Sequence, residues 1–383
     1  MFSILFKKIG NPPHRNFPKS RLNISVLNIV SRKNLYIVKY YLKYFSIILF
    51  GLSLFFVAID FMQNSRDIPS STNLQILYFY YKTLYAISIL FPISLVFGAI
   101  LTFIQFLKSN SLIALYSVGY SDRDVLSPIF TTSLFATLLF ILLYTTQFAN
   151  SKQLSEDILE GNPIIRNSQN LFFKYETRGK IYYVFFEKLY PIQSLAEGIR
   201  LFEIGRDNEL VEMVKAKYGY YDGKRWIIYS AKFLKQSNRV ELNHKIIKEI
   251  DQNRFAVLEG FKPKILDKIY DNEMEFNLIE LMEAIKLMRS QGLSIEKLKV
   301  ALYGIVIYPL FAPLLIVVIF KYIPISSRFS DINFFAFVAI VASLLIWGLL
   351  FALLRLSLTG NLVAELSVVV PILILAIVAL FSL

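Results

Sequence analysis

Two histidines, His14 and His244, lie far apart in the chain, neither belongs to an H-E-x-x-H pair, and there is no cysteine. That removes thiolate catalysis, a C-x-x-C redox centre and a thiolate zinc site. No G-x-x-x-x-G-K-[ST] phosphate loop and no G-x-S-x-G nucleophile turn occur. A Ser–His–Asp arrangement through His244 has no support in the sequence, and His244 reads as a solvated loop residue. Asp60 and Glu365 are carboxylates close to long apolar stretches, but both sit at stretch ends, where snorkelling or contact with water is expected rather than a proton relay. The expectation is a chain with no catalytic residues, no metal and no cofactor of its own. It should borrow its energy from elsewhere.

The elements that must hold these residues are mostly apolar. Of 383 residues 55% are hydrophobic and 18% charged, and the mean hydropathy is +0.52. Soluble domains average about 45–50% apolar and about 25% charged, so this chain is built for lipid. Six apolar runs approach the ~20 helical residues that cross a bilayer core: Tyr44–Met62, Leu84–Leu107, Val125–Phe148, Val300–Ile323, Ile332–Leu354 and Leu362–Leu383. They cluster three and three. The stretch between them carries most of the charge of both signs and is nearly neutral. A cleavable signal peptide is rejected for the first run, because a long polar and basic stretch precedes it.

Orientation follows from basic residues in short loops. Lys7, Lys8, Arg15, Lys19, Arg21, Arg32, Lys33, Lys39 and Lys43 precede span 1, without an acid among them; Lys108 and Arg123 follow span 2, and Lys321 and Arg328 follow span 4. Against these stand Arg66 after span 1 and Arg355 at the end of span 5. Both termini are therefore expected in the cytoplasm and residues 149–276 outside. The net charge of +13 needs no nucleic acid; contact of the N-terminal segment with anionic lipid accounts for it.

The inserted region reads as β first and α later. Leu171–Phe186 is aromatic and β-branched on either side of a turn at Thr177–Lys180, and Gly205–Asn208 marks a second turn. In Glu212–Tyr220, the residues Val214, Ala216, Tyr218 and Tyr220 should share one face. Asp222–Gly223 is a type I′ turn signal before Trp226–Tyr229. Short strands with regular turns point to an antiparallel sandwich or jelly roll. Asn277–Gln291 should be a helix with Asn277 as its cap, Glu280 at its third position and Gly292 as its stop. Its stripe would be Leu278, Leu281, Met282, Ile285 and Met288.

This layout resembles the LptF/LptG permeases of the lipopolysaccharide-export ABC transporter, over about Tyr36–Leu383. Lys108–Ser121 (KSNSLIALYSVGYS) looks like the family's cytoplasmic coupling helix, Gly198–Trp226 like its β pattern, and Asn277–Leu293 like its segment before span 4. Val57, Asp60 and Met62 at the end of span 1, with Leu171–Lys174 and Ile181–Glu187, look more like LptG than LptF. The family's coupling-helix glutamate and arginine fall on Ser111 and Tyr116 here, and residues 1–34 have no family counterpart.

The fold class implied is a polytopic α-helical membrane protein of six transmembrane helices, 3+3, with an inserted periplasmic antiparallel jelly-roll-like domain. Its parts are a basic cytoplasmic segment 1–43, spans 1–3 in 44–148 with the coupling helix near 108–121, the β domain 149–276, a connector helix 277–299, and spans 4–6 in 300–383. The resemblance implies an inner-membrane permease that extracts lipopolysaccharide and passes it to a periplasmic bridge. Its partners would be a cytoplasmic ABC ATPase dimer, a second six-span permease and β-jelly-roll bridge proteins. Leu112, Leu115, Val118 and Gly119 would meet the ATPase; Arg66, Lys82 and Arg355 would contact lipid phosphates. The alternatives are the LptF subunit, or a membrane-anchored sensor or assembly factor that transports nothing. A sensor would have no use for an amphipathic cytoplasmic helix at 108–121.

Overall fold

The computed structural model describes residues 26–160, 168–177, 180–205, 209–236, 247–270, 275–324 and 331–382. His14, His244, Arg328, the basic residues Lys7 to Arg21, the tip of the Thr177–Lys180 turn and most of the Gly205–Asn208 turn lie outside them. The chain divides into a helical unit, Met1–Arg66, Phe79–Lys152 and Lys299–Leu383, and a β unit, Asp67–Tyr78 and Gln153–Leu298.

Among the described residues five helical stretches are long and apolar enough to cross a membrane: Arg32–Asn64, Thr72–Lys108, Asp122–Leu143, Glu296–Phe320 and Ile332–Leu358. The elements are α1 (Val26–Asn64), α2 (Thr72–Lys108), the short α3 (Ser111–Ser117) and α4 (Asp122–Leu143), then α5 (Ser151–Leu159) at the passage toward the β unit. At 1.5 Å per residue even the shortest of the five runs to about 33 Å, enough for the hydrocarbon core. Helix α1 begins well before Tyr44, because Arg32, Lys33, Lys39 and Lys43 are good helix formers and neither Pro nor Gly interrupts this stretch. The sixth apolar helix is shorter, Glu365–Leu380. Its first turn, Glu365–Val369, is a π turn.

Burial in this unit follows the rule for lipid. Phe103, Phe311, Leu315 and Phe335 are enclosed, whereas Phe50, Leu54 and Phe55 stay more than half exposed on α1. Backbones approach where a small residue allows it: a Cβ on Gly98 would lie 2.9 Å from the Cα of Phe45, the close contact that substitutes for a hydrophobic drive between membrane helices.

Among the described residues of the β unit six strands, β1 (Ser168–Thr177), β2 (Lys180–Tyr190), β3 (Leu195–Ile204), β4 (Leu210–Tyr221), β5 (Trp226–Gln236) and β6 (Ile247–Val257), follow one another as neighbours in a single antiparallel curled sheet. The inserted antiparallel β domain expected from the sequence is there as a curled sheet whose strands pair in chain order, as a meander. Helices α6 (Pro263–Tyr270), α7 (Leu278–Ser290) and α8 (Glu296–Val306) follow, with α8 continuing through a 3₁₀ turn at Tyr308–Leu310 into α9 (Phe311–Phe320). Next come α10 (Ile332–Leu358) and, after the π turn, α11 (Val370–Leu380).

A crease crosses the whole sheet. Regular pairing is interrupted at one level in every ladder, at Asn170, Glu187, Gly198, Lys217, Ser230 and Asn253. Alternate strands carry a left-handed residue there, with φ of 55° at Asn170, 64° at Gly198 and 52° at Ser230. Such irregularities bend strands and re-aim side chains. They also correct the expected face of β4: Val214 is buried, but beyond Lys217 the inward position passes to Gly219, leaving Tyr218 and Tyr220 exposed.

Trp226, Phe186 and Phe261 fill the core beneath the sheet. The Trp226 indole N–H donates to the Phe261 carbonyl at 2.8 Å. The β4–β5 turn is longer than a type I′ pair. Tyr221 faces Trp226, and Asp222–Arg225 form a four-residue loop in which the Asp222 carboxylate accepts from the amides of Lys224 at 2.9 Å and Arg225 at 2.8 Å. These two donors hold its pKa below the usual aspartate value. Asn277 caps α7 through the Ile279 amide at 2.9 Å, and Gly292 follows it at φ 63°. The α7 stripe shifts to Leu281, Ala284 and Met288, with Met282 exposed. Glu280 pairs with Lys268 at 2.9 Å instead of closing a capping box.

Candidate functional site

Helix α3 is seven residues long and owes its position to its two ends. Asn110 enters it in the left-handed region at φ 54°, a conformation that asparagine tolerates. At the other end Gly119, at φ 93°, donates to Tyr116 O at 2.9 Å while Tyr120 N donates to Leu115 O at 3.2 Å. This is a Schellman stop, which requires the glycine. Ser121 then caps α4 in a reciprocal box with Asp124. Lys33 of α1 donates to the Asp124 carbonyl at 2.8 Å and lies 4.4 Å from the centre of the Tyr120 ring. Tyr36 reaches the Ser111 hydroxyl at 3.4 Å, and the Ser109 and Ser111 hydroxyls meet at 2.7 Å.

The apolar residues of α3 divide. Leu112 is buried in the core of the helical unit and Leu115 is partly buried against it. Val118 is 74% exposed, with Ala114, Ser117 and Gly119 beside it on the open side. Leu112 is thereby an anchor into its own bundle; the side open to a partner is the edge with Val118. Sequence reasoning missed Lys33 as a brace, and the S-x-x-D box at Ser121–Asp124 was the signal that could have located it.

The three basic residues separate as well. Lys82 is buried and its Nζ lies 2.7 Å from Asp60 Oδ1. Arg66 is exposed just beyond α1. Arg355 is exposed in the last turn of α10, its guanidinium 5.0 Å from the Phe351 ring centre. Glu365 lies at 3.4 Å from Lys299 Nζ and 3.5 Å from the Tyr303 hydroxyl. Both carboxylates near the apolar stretches are therefore paired with bases from a neighbouring helix. Among the described residues no three His, Asp or Glu side chains are grouped as metal ligands.

A short helix braced between two long ones, a β sheet inserted between two sets of apolar helices and ion pairs turned inward can now be set beside known proteins. The sequence model of the lipopolysaccharide export system permease LptF/LptG matches residues 35–383. The chain belongs to the LptF/LptG family. No curated protein sequence matches it significantly. As a member of this family it is a multi-pass membrane protein and a permease component of lipopolysaccharide export, a transporter subunit rather than an enzyme. The match takes in α3, the Asp60–Lys82 pair and all six strands of this permease.

Proposed function

We propose that this chain is the LptG-type permease of an ATP-driven exporter, in which it and a second six-span permease face each other in the inner membrane above a cytoplasmic ATPase dimer. The observation that carries the proposal is the family match across both helical halves and the β insertion together. The excess of basic residues before α1 supports a cytoplasmic N-terminus and an external β unit. Pulling an acyl chain from the bilayer costs about 0.8 kcal/mol per CH₂. Several chains at once therefore require coupled ATP hydrolysis, which a partner has to supply.

In this reading the edge of α3 that carries Val118 and Gly119 seats in a groove of the ATPase, while Leu112 and Leu115 transmit its displacement into the bundle. Arg66 and Arg355 offer charge to lipid phosphates at the external surface, and Lys82, held by Asp60, belongs to the same set. The β unit receives the lipid and passes it to the β-jelly-roll bridge by pairing at a sheet edge. The test is purification of the tagged chain in gentle detergent. Co-purification of an ABC ATPase and a second six-span permease, with ATP hydrolysis that responds to lipopolysaccharide, is the expected result. A folded preparation that brings down neither would overturn it. Charge reversal at Arg66 and Arg355 that leaves export unchanged would remove these two residues from the mechanism.

A further inference from the structure

One turn of α1 holds both ends of α3. Lys33 is 8% exposed, and its Nζ reaches three groups just beyond the exit of α3. These are the Asp124 carbonyl at 2.8 Å, the Asp124 carboxylate at 3.8 Å and the Tyr120 ring at 4.4 Å from its centre. Residue 36 shares a helix face with residue 33. The Tyr36 hydroxyl meets that of Ser111, the first residue of α3, at 3.4 Å. The Tyr36 ring stacks on Phe106 near the end of α2, with centres 5.8 Å apart. Helix α1 therefore brackets the short helix at entry and exit.

The hold at the exit is directional, whereas the hold at the core is not. Leu112 and Leu115 keep α3 against the bundle by packing, a non-directional contact that survives a small slide. The Lys33 hydrogen bond weakens steeply once it is bent, and an enclosed ammonium that loses its partners has little water to replace them. The corner it holds is itself stiff. The Asp124 carboxylate accepts from the Ser121 amide at 2.9 Å and from its hydroxyl at 2.7 Å. Lysine, carbonyl and capping box thus join α1 to the start of α4 at the point where α3 ends. Lys33 precedes the matched residues 35–383, so the family match assigns it no role.

We propose that Lys33 is a positioning residue for energy coupling. It fastens the N-terminal end of α1 to the corner between α3 and α4, so that a displacement of α3 carries α1 with it instead of slipping past it. That an ATPase supplies the displacement rests on the export reading above. The fastening itself rests on the three contacts of Lys33 and on the contact between Tyr36 and Ser111.

The test uses the assembled transporter in proteoliposomes and measures ATP hydrolysis and lipopolysaccharide release together. Lys33→Met keeps most of the stem and removes the ammonium. Hydrolysis should stay near the wild-type rate while release per ATP falls about tenfold, the size of an ordinary coupling energy. Lys33→Arg, which restores a charge and a donor, should recover most of the release. A K33M complex with the wild-type yield per ATP overturns the proposal. Parallel loss of assembly, hydrolysis and release would make Lys33 a folding residue and overturn it as well. The permease alone gives a reading that needs no ATPase. The chain has no cysteine of its own, so spin labels can be placed at K39C and R123C, both exposed positions. Their separation should be narrowly distributed, broadened by K33M and restored by K33R; equal distributions in wild type and K33M overturn the fastening. A wild type that brings down no ATPase, with K33M still broadening the distribution, would sink the export reading and leave the fastening standing.

Discussion

The two units of this molecule differ in what they leave on their outside. In the helical unit Lys82 and Asp60 are drawn together with side-chain exposures of 8% and 14%, while Phe50, Leu54 and Phe55 face outward. In the β unit Trp226, Phe186 and Phe261 are enclosed, and Arg200 and Lys215 stand exposed, facing each other across β3 and β4. The difference shows what each surface is solvated by. A charge facing lipid has no solvent and must find a partner inside; a charge facing water is solvated and needs none. The same arginine or lysine carries a different meaning in each unit.

The sharpest way to test the water-facing half of this contrast is its core. Trp226→Ala removes a fully buried ring that lies 5.1 Å from Phe186 and frees the Phe261 carbonyl. A loss of about 3–5 kcal/mol is expected from the cavity. Limited proteolysis should show cleavage within residues 168–257, with α1, α2 and α4 still protected. W226F should recover most of the packing and none of the hydrogen bond.

For the lipid-facing half the corresponding change is Asp60→Asn, which takes the carboxylate from Lys82. Removing one member of a fully buried pair costs about 3–5 kcal/mol, and the slight exposure of Asp60 sets the expectation below that range. The double change D60L/K82M should regain most of the loss, as replaced buried pairs do. The readout is thermal unfolding in detergent. Equal damage from the single and the double variant would mean that shape, not charge, holds the two helices. Smaller still is Gly98→Ala, in which the new methyl meets the Phe45 backbone. Overpacking of this kind costs about 1–3 kcal/mol, and the change should widen the α1–α2 crossing, read as faster cleavage of the helix pair.

What was legible in the sequence follows the same division. Long apolar runs announce membrane helices whatever their neighbours, so the five long spans and the shorter sixth were visible, with α1 extended because nothing stops a helix at Tyr44. Alternation located β4 up to Val214 and Ala216 and failed at Lys217, because a crease depends on facing residues in adjacent strands and has no signal within one strand. Leu112 and Val118 looked alike on a helical wheel. Only the packing of α3 on its own bundle divides an anchor from an open edge. Lys82 was placed among the lipid contacts because the sequence puts it near the end of a span; that Asp60 stands at the same level on the preceding helix is a pairing that becomes visible only when the two are read as antiparallel neighbours.

The smallest effect belongs to the turn between β4 and β5, where water-facing charge does a structural task. The Asp222 carboxylate holds two backbone amides, and its pKa lies below the ordinary value because those donors favour the charged form. An unfolded aspartate titrates near ~3.9. The turn is therefore fully supported above that pH and loses support as the pH falls through it toward the folded value. Hydrogen exchange at Lys224 and Arg225 should quicken on acidification below about 4, beyond the intrinsic change in rate. In Asp222→Asn the side-chain oxygen still accepts from both amides, so exchange should stay close to wild type at neutral pH and lose its acid dependence. A wild-type turn that stays equally protected down to pH 2 would show that Gly223, at φ 96°, and the Asp222–Arg225 backbone bond at 3.0 Å set the loop without the carboxylate.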